Sequence, residues 1–520
     1  MKRLVLFSTV AFLIVAGFMP VLVMLIKSIT VDNHINFIHY QSLLSSTRQW
    51  VLLKQSLTLA ALTTLVATAV GMPAGILLGK SDLPFRRLFT FLFTIPLLLP
   101  PYITAVSWHD LAGREGLLKS FFGLNAQAAS LWLFGLPGCV IVLSTTFMPI
   151  VMLLTITYIK TLNPHLEEAA KLVTPWSVVL RKITVPMILP GIFLASLLVF
   201  ILTLGEFSVP MFFRYDVFAV ESFSQFSAFY NYSAGTASAI PLALITLVFL
   251  VVEKIFFDKK IYQLRPSPGH SLTIGLGYYR WPFFALISLL WLLTIGLPVV
   301  ALVFKSASLS SCWQAITVSF DSLIRSVLYA ALGSSILVIL GYFTGYLIHT
   351  KALSIWQTVD SVTIFLLVLP GTVIGIGLAG MWNRPETNFI YTSAAIIILG
   401  YVAQYTALTS RITVATLMQI PPSMEEAAQA AGAKWLKRQT AIIAPLARRG
   451  LITGWLTGYI FCLKDTGITM MVYPPGHDTL PVRTLTLMAN GPAEITAALC
   501  VIMIFATLIP FSALGYMLKK

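Results

Sequence analysis

The chain is divided into about twelve apolar runs near the length of a membrane crossing, and this limits its fold more than any other feature. The runs fall near 4–26, 56–79, 88–107, 131–158, 187–207 and 236–257, then 282–304, 324–348, 356–381, 391–413, 446–463 and 493–517. They show no period-two alternation, so each reads as a helix rather than a barrel strand. Residues that are 58% hydrophobic and only 10% charged, with a mean hydropathy of +0.88, describe an integral membrane protein; a water-soluble domain carries about 25% charged residues. Met1-Lys2-Arg3 followed by Leu4 to Ile26 has the look of a signal peptide. The run is longer than a signal core and no small-x-small cleavage signal closes it, so it reads as a retained first span.

The net charge of +15 does not form a nucleic-acid surface, because the basic residues are spread between the spans. With both termini in the cytoplasm, 22 of the 34 Lys and Arg fall on cytoplasmic segments, the excess expected of that orientation. Cys139, Cys312, Cys462 and Cys500 lie mostly in apolar context without metal-ligand spacing, and read as inert thiols; no metal site is expected.

One polar stretch occurs twice. Glu425 to Pro445 reads EEAAQAAGAKWLKRQTAIIAP, and Glu167 to Pro186 reads EEAAKLVTPWSVVLRKITVP. Trp176 answers Trp435 and Pro186 answers Pro445, and the earlier copy lacks the position held by Gly432. Ala, Glu and Gln favour a helix over Met424 to Ala433. Ser423 with Glu426 has the capping-box spacing, and Gly432 suits a helix end. The correspondence extends outward: the stretch from Ser56 to Gly71 aligns with that from Ser326 to Gly341, and Pro100 with Pro370. The first half then carries an insertion near 108–130. This predicts two six-span halves, 1–257 and 282–520, joined by a polar, Gly- and Pro-rich cytoplasmic linker at 258–281. Six spans per half give both the same orientation, a parallel repeat related by a pseudo-two-fold axis along the membrane normal.

The duplicated loop resembles the EAA loop of permease subunits in type I ATP-binding-cassette importers. The second copy matches at Glu426, Ala427, Ala428, Gly432 and Pro445, with Ala444 where Leu is usual; the first matches at Glu168, Ala169, Ala170 and Pro186 without the glycine. Glu425 and Glu167 precede the two matches. The resemblance implies an all-α polytopic permease with both halves fused in one chain. It implies that each loop is a short coupling helix docked on one of two copies of an ATPase subunit, and that ATP and Mg belong to that partner, leaving this chain without a cofactor. It also implies a periplasmic or lipid-anchored binding protein that sets most of the selectivity.

No catalytic constellation is present, so the chain is not expected to be an enzyme. Ala74 to Ser81, AGILLGKS, fits a relaxed phosphate-loop pattern, but it ends a span and places Ile76, Leu77 and Leu78 where the cradle should be. Lys80 and Ser81 there read as markers of the cytoplasmic interface. Glu206 and Asp465 each lie 20 residues after the closing proline of their loop (206 − 186 and 465 − 445), at the ends of equivalent spans. Ionisable groups at the edge of the hydrocarbon suggest an external gate or a docking surface; the alternative is that they cap helix ends or pair locally, as Asp465 could with Lys464. Pro474, Pro475 and Gly476 predict a rigid external turn, followed by Asp478. That loop, and GEFSVPMF at 205–212, resemble fused permeases for ferric iron and for 2-aminoethylphosphonate. Ferric iron is therefore the first expectation, with 2-aminoethylphosphonate, thiamine and other small solutes as alternatives. A twelve-span transporter driven by an ion gradient is the rival class; it would need mid-span charges, whereas the strong charges here cluster in the two loops.

Overall fold

A backbone in hydrocarbon must satisfy its own N–H and C=O groups, and the apolar runs accordingly form helices. The computed structural model describes all residues except 32–33, 36–39, 42–44, 115, 123–131, 228–231, 262–271, 307 and 520, so the middle of the linker and part of the insertion lie outside the described residues. Among the described residues, eight helices are long and apolar enough to cross a bilayer: Lys2–Ser28, Thr47–Lys80, Leu136–Thr161, Trp176–Leu204, Gly277–Lys305, Ser310–Thr350, Ala395–Leu417 and Ala493–Met517. The runs at 236–257 and 446–463 are helical too, in Tyr232–Ile261 and Arg448–Leu463. A two-residue ladder, Thr30–Val31 against His34–Ile35, follows the first helix.

Two of the expected straight spans are broken. The run at 88–107 becomes Arg86–Leu98 and a second helix from Pro101, bent by 104°, and the run at 356–381 becomes Trp356–Val368 and Gly371–Trp382, bent by 107°. The bends fall at the matched prolines. Leu99 and Leu369, which precede Pro100 and Pro370, are extended (ψ 153° and 137°), as a residue before proline prefers. Counting each bent pair as one span gives ten candidate crossings among the described residues.

Proline shapes the helices a second way. Among the described residues four π-helical turns occur, Ile14–Phe18, Leu180–Thr184, Leu292–Gly296 and Gln439–Ile443. Each ends two residues before a proline: Pro20, Pro186, Pro298 and Pro445. A proline ring crowds the carbonyl four residues back and offers no N–H, and the wider turn makes room for it. The closing prolines of the duplicated loop thus set how the chain re-enters the next helix. The pairing of 14–18 with 292–296 also makes the first helix the counterpart of Gly277–Lys305, in keeping with the repeat.

The helices gather into two compact units that cut across chain order. One comprises residues 1–46, 221–243 and 310–520, the other 47–220 and 244–309. The first helix of each half is therefore exchanged. Lys2–Ser28 packs in the unit of the second half, where Gly17 lies against Leu366 and Ala403, Gly377 lies against the Pro20 carbonyl, and Lys27 Nζ donates to Gly380 O at 2.7 Å. Gly277–Lys305 packs in the unit of the first half, with Phe284 against Phe85 and Phe89 at ring separations of 6.3 and 5.7 Å.

Each unit is built on a close crossing of two long helices. Gly71 and Gly75 of Thr47–Lys80 face Leu136–Thr161, and Gly341 and Gly345 of Ser310–Thr350 face Ala395–Leu417. This is the small-xxx-small contact that lets backbones approach in a bilayer. A Cβ at Gly75 would stand 2.7 Å from Thr155, and one at Gly345 2.7 Å from Thr413, so neither site has room for a side chain. Gly75→Leu and Gly345→Leu should each destabilise the chain by about 1–3 kcal/mol through overpacking, while Gly515→Leu, with no atom within 4 Å, should not. Thermal unfolding in detergent checks this; equal midpoints for all three variants would show that the glycines do not set the crossing.

Candidate functional site: the paired charged loops

Both copies of the duplicated segment fold as a short helix, a turn and a second helix leading into a π turn. In the first, Pro164–Lys171 begins at Asn163, whose side-chain oxygen accepts from His165 N at 3.1 Å. In the second, the helix is Pro422–Ala430, with Pro421 at its cap position and no side-chain capping bond. The expected capping box is thus not formed: Ser423 lies inside the helix, because proline at 422 already supplies the first helical φ.

The two loops end their helices differently. Gly432 has φ +80°, its N–H bonds Gln429 O at 3.0 Å, and Ala433 N–H bonds Ala428 O at 3.0 Å, the Schellman pattern that requires a left-handed residue. The first copy has no glycine and no left-handed residue there. Thr174 instead folds back, donating from N (3.0 Å) and Oγ1 (2.8 Å) to Ala170 O, and Pro175 ends the turn.

The glutamates divide between two directions. Glu167 is 2% exposed; its Oε2 meets Lys80 Nζ at 2.5 Å and its Oε1 accepts from Thr184 Oγ1 at 2.6 Å. Lys80 also lies over the Trp176 ring at 5.9 Å, with Lys171 over the same ring at 5.2 Å. Glu425 repeats the arrangement with other chemistry: Oε1 accepts from Tyr346 OH at 3.0 Å and Gln439 Nε2 at 3.3 Å, and Arg438 Nε lies 3.5 Å away. Trp435 Nε1 donates to Tyr346 OH at 3.3 Å, and Tyr342 OH donates to Gln439 Oε1 at 2.8 Å. The following glutamates, Glu168 and Glu426, are exposed, as are Ala169 and Ala427, while Ala170 and Ala428 are half-buried. Apolar side chains share the outer surface: Leu166, Leu172 and Val173 on one loop, Met424 and Leu436 on the other. Each loop is therefore a helix fastened at its root by one carboxylate and presenting a second carboxylate beside apolar groups.

The AGILLGKS stretch is the end of the Thr47–Lys80 helix, so its N–H groups are bonded along the helix and form no phosphate cradle. Lys80 is buried against Glu167 rather than presented to water. Sequence spacing alone does not reveal the pair, since its members are separated by 87 residues. Nor does it reveal Tyr346 and Gln439 as partners of Glu425.

Glu206 and Asp465 both sit where a helix gives way to a short following one. Glu206 Oε1 accepts from Ser208 N at 2.8 Å and from Ser208 Oγ. Asp465 Oδ2 accepts from Thr469 N (2.9 Å) and Oγ1 (2.7 Å), and Oδ1 from Tyr405 OH (2.8 Å). Lys464 lies over Phe461, its Nζ 4.4 Å from the ring centroid. Each carboxylate thus accepts from the first residue of the short helix that follows it. The Pro474-Pro475-Gly476 turn forms, with Gly476 at φ +79° and His477 N bonding Pro474 O at 3.0 Å. Residues on one face of Ser310–Thr350 fasten the loop. Ser322 Oγ and Arg325 Nη1 donate to Asp478 at 2.7 and 2.6 Å, Ser326 Oγ accepts from Leu480 N at 2.6 Å, and Tyr329 OH meets His477 Nδ1 at 2.7 Å. Ser56 Oγ accepts from Phe218 N at 2.9 Å at the matching place in the first half.

Asp465→Ala would leave the buried hydroxyls of Tyr405 and Thr469 without their acceptor and should cost about 1–3 kcal/mol of stability. Chemical unfolding of the two variants should rank it above Glu206→Ala; the reverse order would contradict the capping assignment.

The chain matches the family described as "Binding-protein-dependent transport system inner membrane component" over residues 71–259 and again over 338–520. Ferric transport system permease protein FbpB of Actinobacillus pleuropneumoniae is 22% identical over 460 residues, covering 82% of this chain and 65% of that protein, so the chain spans about two thirds of its length. Fe(3+)-transport system permease protein FbpB 2 of Haemophilus influenzae is 22% identical over 459 residues, covering 85% of this chain and 84% of the relative. The putative 2-aminoethylphosphonate transport system permease protein PhnV of Salmonella typhimurium is 21% identical over 202 residues, 39% of this chain and 76% of its own.

Proposed function

The chain belongs to the binding-protein-dependent transport system inner membrane component family, matched once in each half, and from that premise we propose that it is the fused permease of an ATP-driven importer. In this reading the two charged loops are coupling helices in the cytoplasm, where both termini also lie. Two copies of a separate ATPase subunit dock on them, and a binding protein delivers solute from outside. The observation that carries the reading is the paired geometry: each loop is anchored by its first glutamate (Glu167, Glu425) and presents its second (Glu168, Glu426) with exposed apolar neighbours. Such a surface suits a groove with basic and apolar walls, and exposed apolar groups beyond the bilayer call for a partner. ATP-driven approach of the two ATPase subunits would move the anchored loops as rigid levers and open the pathway inward, as in alternating access. The names of relatives matched over more than four fifths of this chain support ferric iron as the solute, and that of a relative matched over 39% supports 2-aminoethylphosphonate next.

Affinity purification of the tagged chain from its native membrane should recover an ATPase and a binding protein, and that binding protein should retain ferric iron. A preserved complex without an ATPase would contradict the proposal and favour a gradient-driven transporter. Charge reversal tests the loops: because Gly432 gives the second loop its closed helix end, Glu426→Lys should lower substrate-stimulated ATP hydrolysis more than Glu168→Lys. Equal losses would show that the Thr174-Pro175 exit is an adequate substitute.

A further inference from the structure

Resting on the reading of the loops as ATPase-docking elements, we propose that Lys80 is the positioning residue of the first loop. Its side chain holds that loop, and its backbone holds the end of the connector between the halves. The side chain is 0% exposed and reaches Glu167 Oε2 at 2.5 Å under the Pro164–Lys171 helix. Its carbonyl accepts from Ile274 N at 2.7 Å, the Ile274 carbonyl accepts from Asp82 N at 3.1 Å, and Asp82 Oδ1 accepts from Leu276 N at 2.9 Å. Ser81 and Ile274 form a parallel bridge. Three segments distant in sequence therefore meet at one residue: the end of a long helix, the end of the connector and the root of the loop.

The second loop is held differently. Glu425 is met by Tyr346 from the long helix and by Gln439 and Arg438 from the loop's own exit, and among the described residues no strand docks beside Thr350 as 274 docks beside Lys80. The asymmetry matches the difference in helix ends. The first loop, which lacks the glycine closure, takes its position from a buried ion pair whose lysine is fixed on its other side by the connector. Removing the lysine charge would leave Glu167 buried without its cation, and a buried unpaired carboxylate is relieved by moving to water. The first helix would detach from its root while the second stayed in place. Loss of the connector bond would act in the same direction, through the backbone.

Hydrogen exchange of the full-length chain in nanodiscs reads this directly. Lys80→Met should raise exchange over 166–174 by about tenfold or more, leaving 424–433 at the wild-type rate. Lys80→Arg should stay near wild type. Ile274→Pro, which removes the donor to the Lys80 carbonyl and leaves both charges intact, should raise exchange over 166–174 as well, and it decides the question if Lys80→Met does not fold. Unchanged exchange at 166–174 in Lys80→Met, or an equal rise at both loops, would overturn the proposal. In the assembled transporter, Lys80→Met should lower the solute moved per ATP hydrolysed by about fivefold, with Lys80→Arg restoring it; an unchanged ratio would overturn the positioning role. A wild-type chain that binds no ATPase would instead defeat the functional reading, while the exchange result would still decide whether Lys80 fixes the loop.

Discussion

A carboxylate wholly or partly withdrawn from water needs partners, and at the root of each charged loop this requirement fixes how the loop is carried. Glu167 meets it with a lysine and a threonine, Glu425 with a tyrosine, a glutamine and an arginine. The partners differ, yet the outcome is the same: a short helix tied to the end of a long one, with its next glutamate facing outward. A charged loop between spans would otherwise be free to drift. Tied this way, it can transmit a push from a bound partner into helices that are themselves locked by glycine-mediated crossings.

Proline and glycine supply the rest of the architecture. Matched prolines at 100 and 370 break two apolar runs into bent pairs, and four further prolines follow π turns at equivalent places. The exchanged first helices are seated by different contacts, the Pro20 carbonyl on Gly377 in one unit and Phe284 on Phe85 and Phe89 in the other. Chain order and unit membership therefore differ, and the connector lies, with the helix residues on both sides of it, within the unit of the first half. Its described end is stapled to residues 80–82, which places it against the first loop's anchor.

Much of this was legible in the amino-acid order because it depends on composition or local spacing. The repeat showed in two copies of one loop, the helical class in run length, and the rejection of a phosphate loop in the apolar residues at 76–78. The Gly432 helix end and the Pro474–Gly476 turn were readable from glycines that tolerate positive φ and prolines that fix φ near −65°. What escaped was non-local or competitive. Lys80 looked like an interface cation because nothing near it in sequence announces Glu167. Ser423 looked like a cap, but the proline beside it starts the helix one residue earlier. The runs around Pro100 and Pro370 looked straight because hydropathy records apolarity and is blind to a missing N–H. The exchanged first helices have no one-dimensional signature at all.

The most direct test of the account is site-specific photo-cross-linking in the native membrane from Val173 and from Leu436, one exposed apolar position on each loop. The account predicts that both positions capture the same ATPase polypeptide. Capture of lipid alone at both positions would contradict the assignment of the paired loops as the ATPase contact.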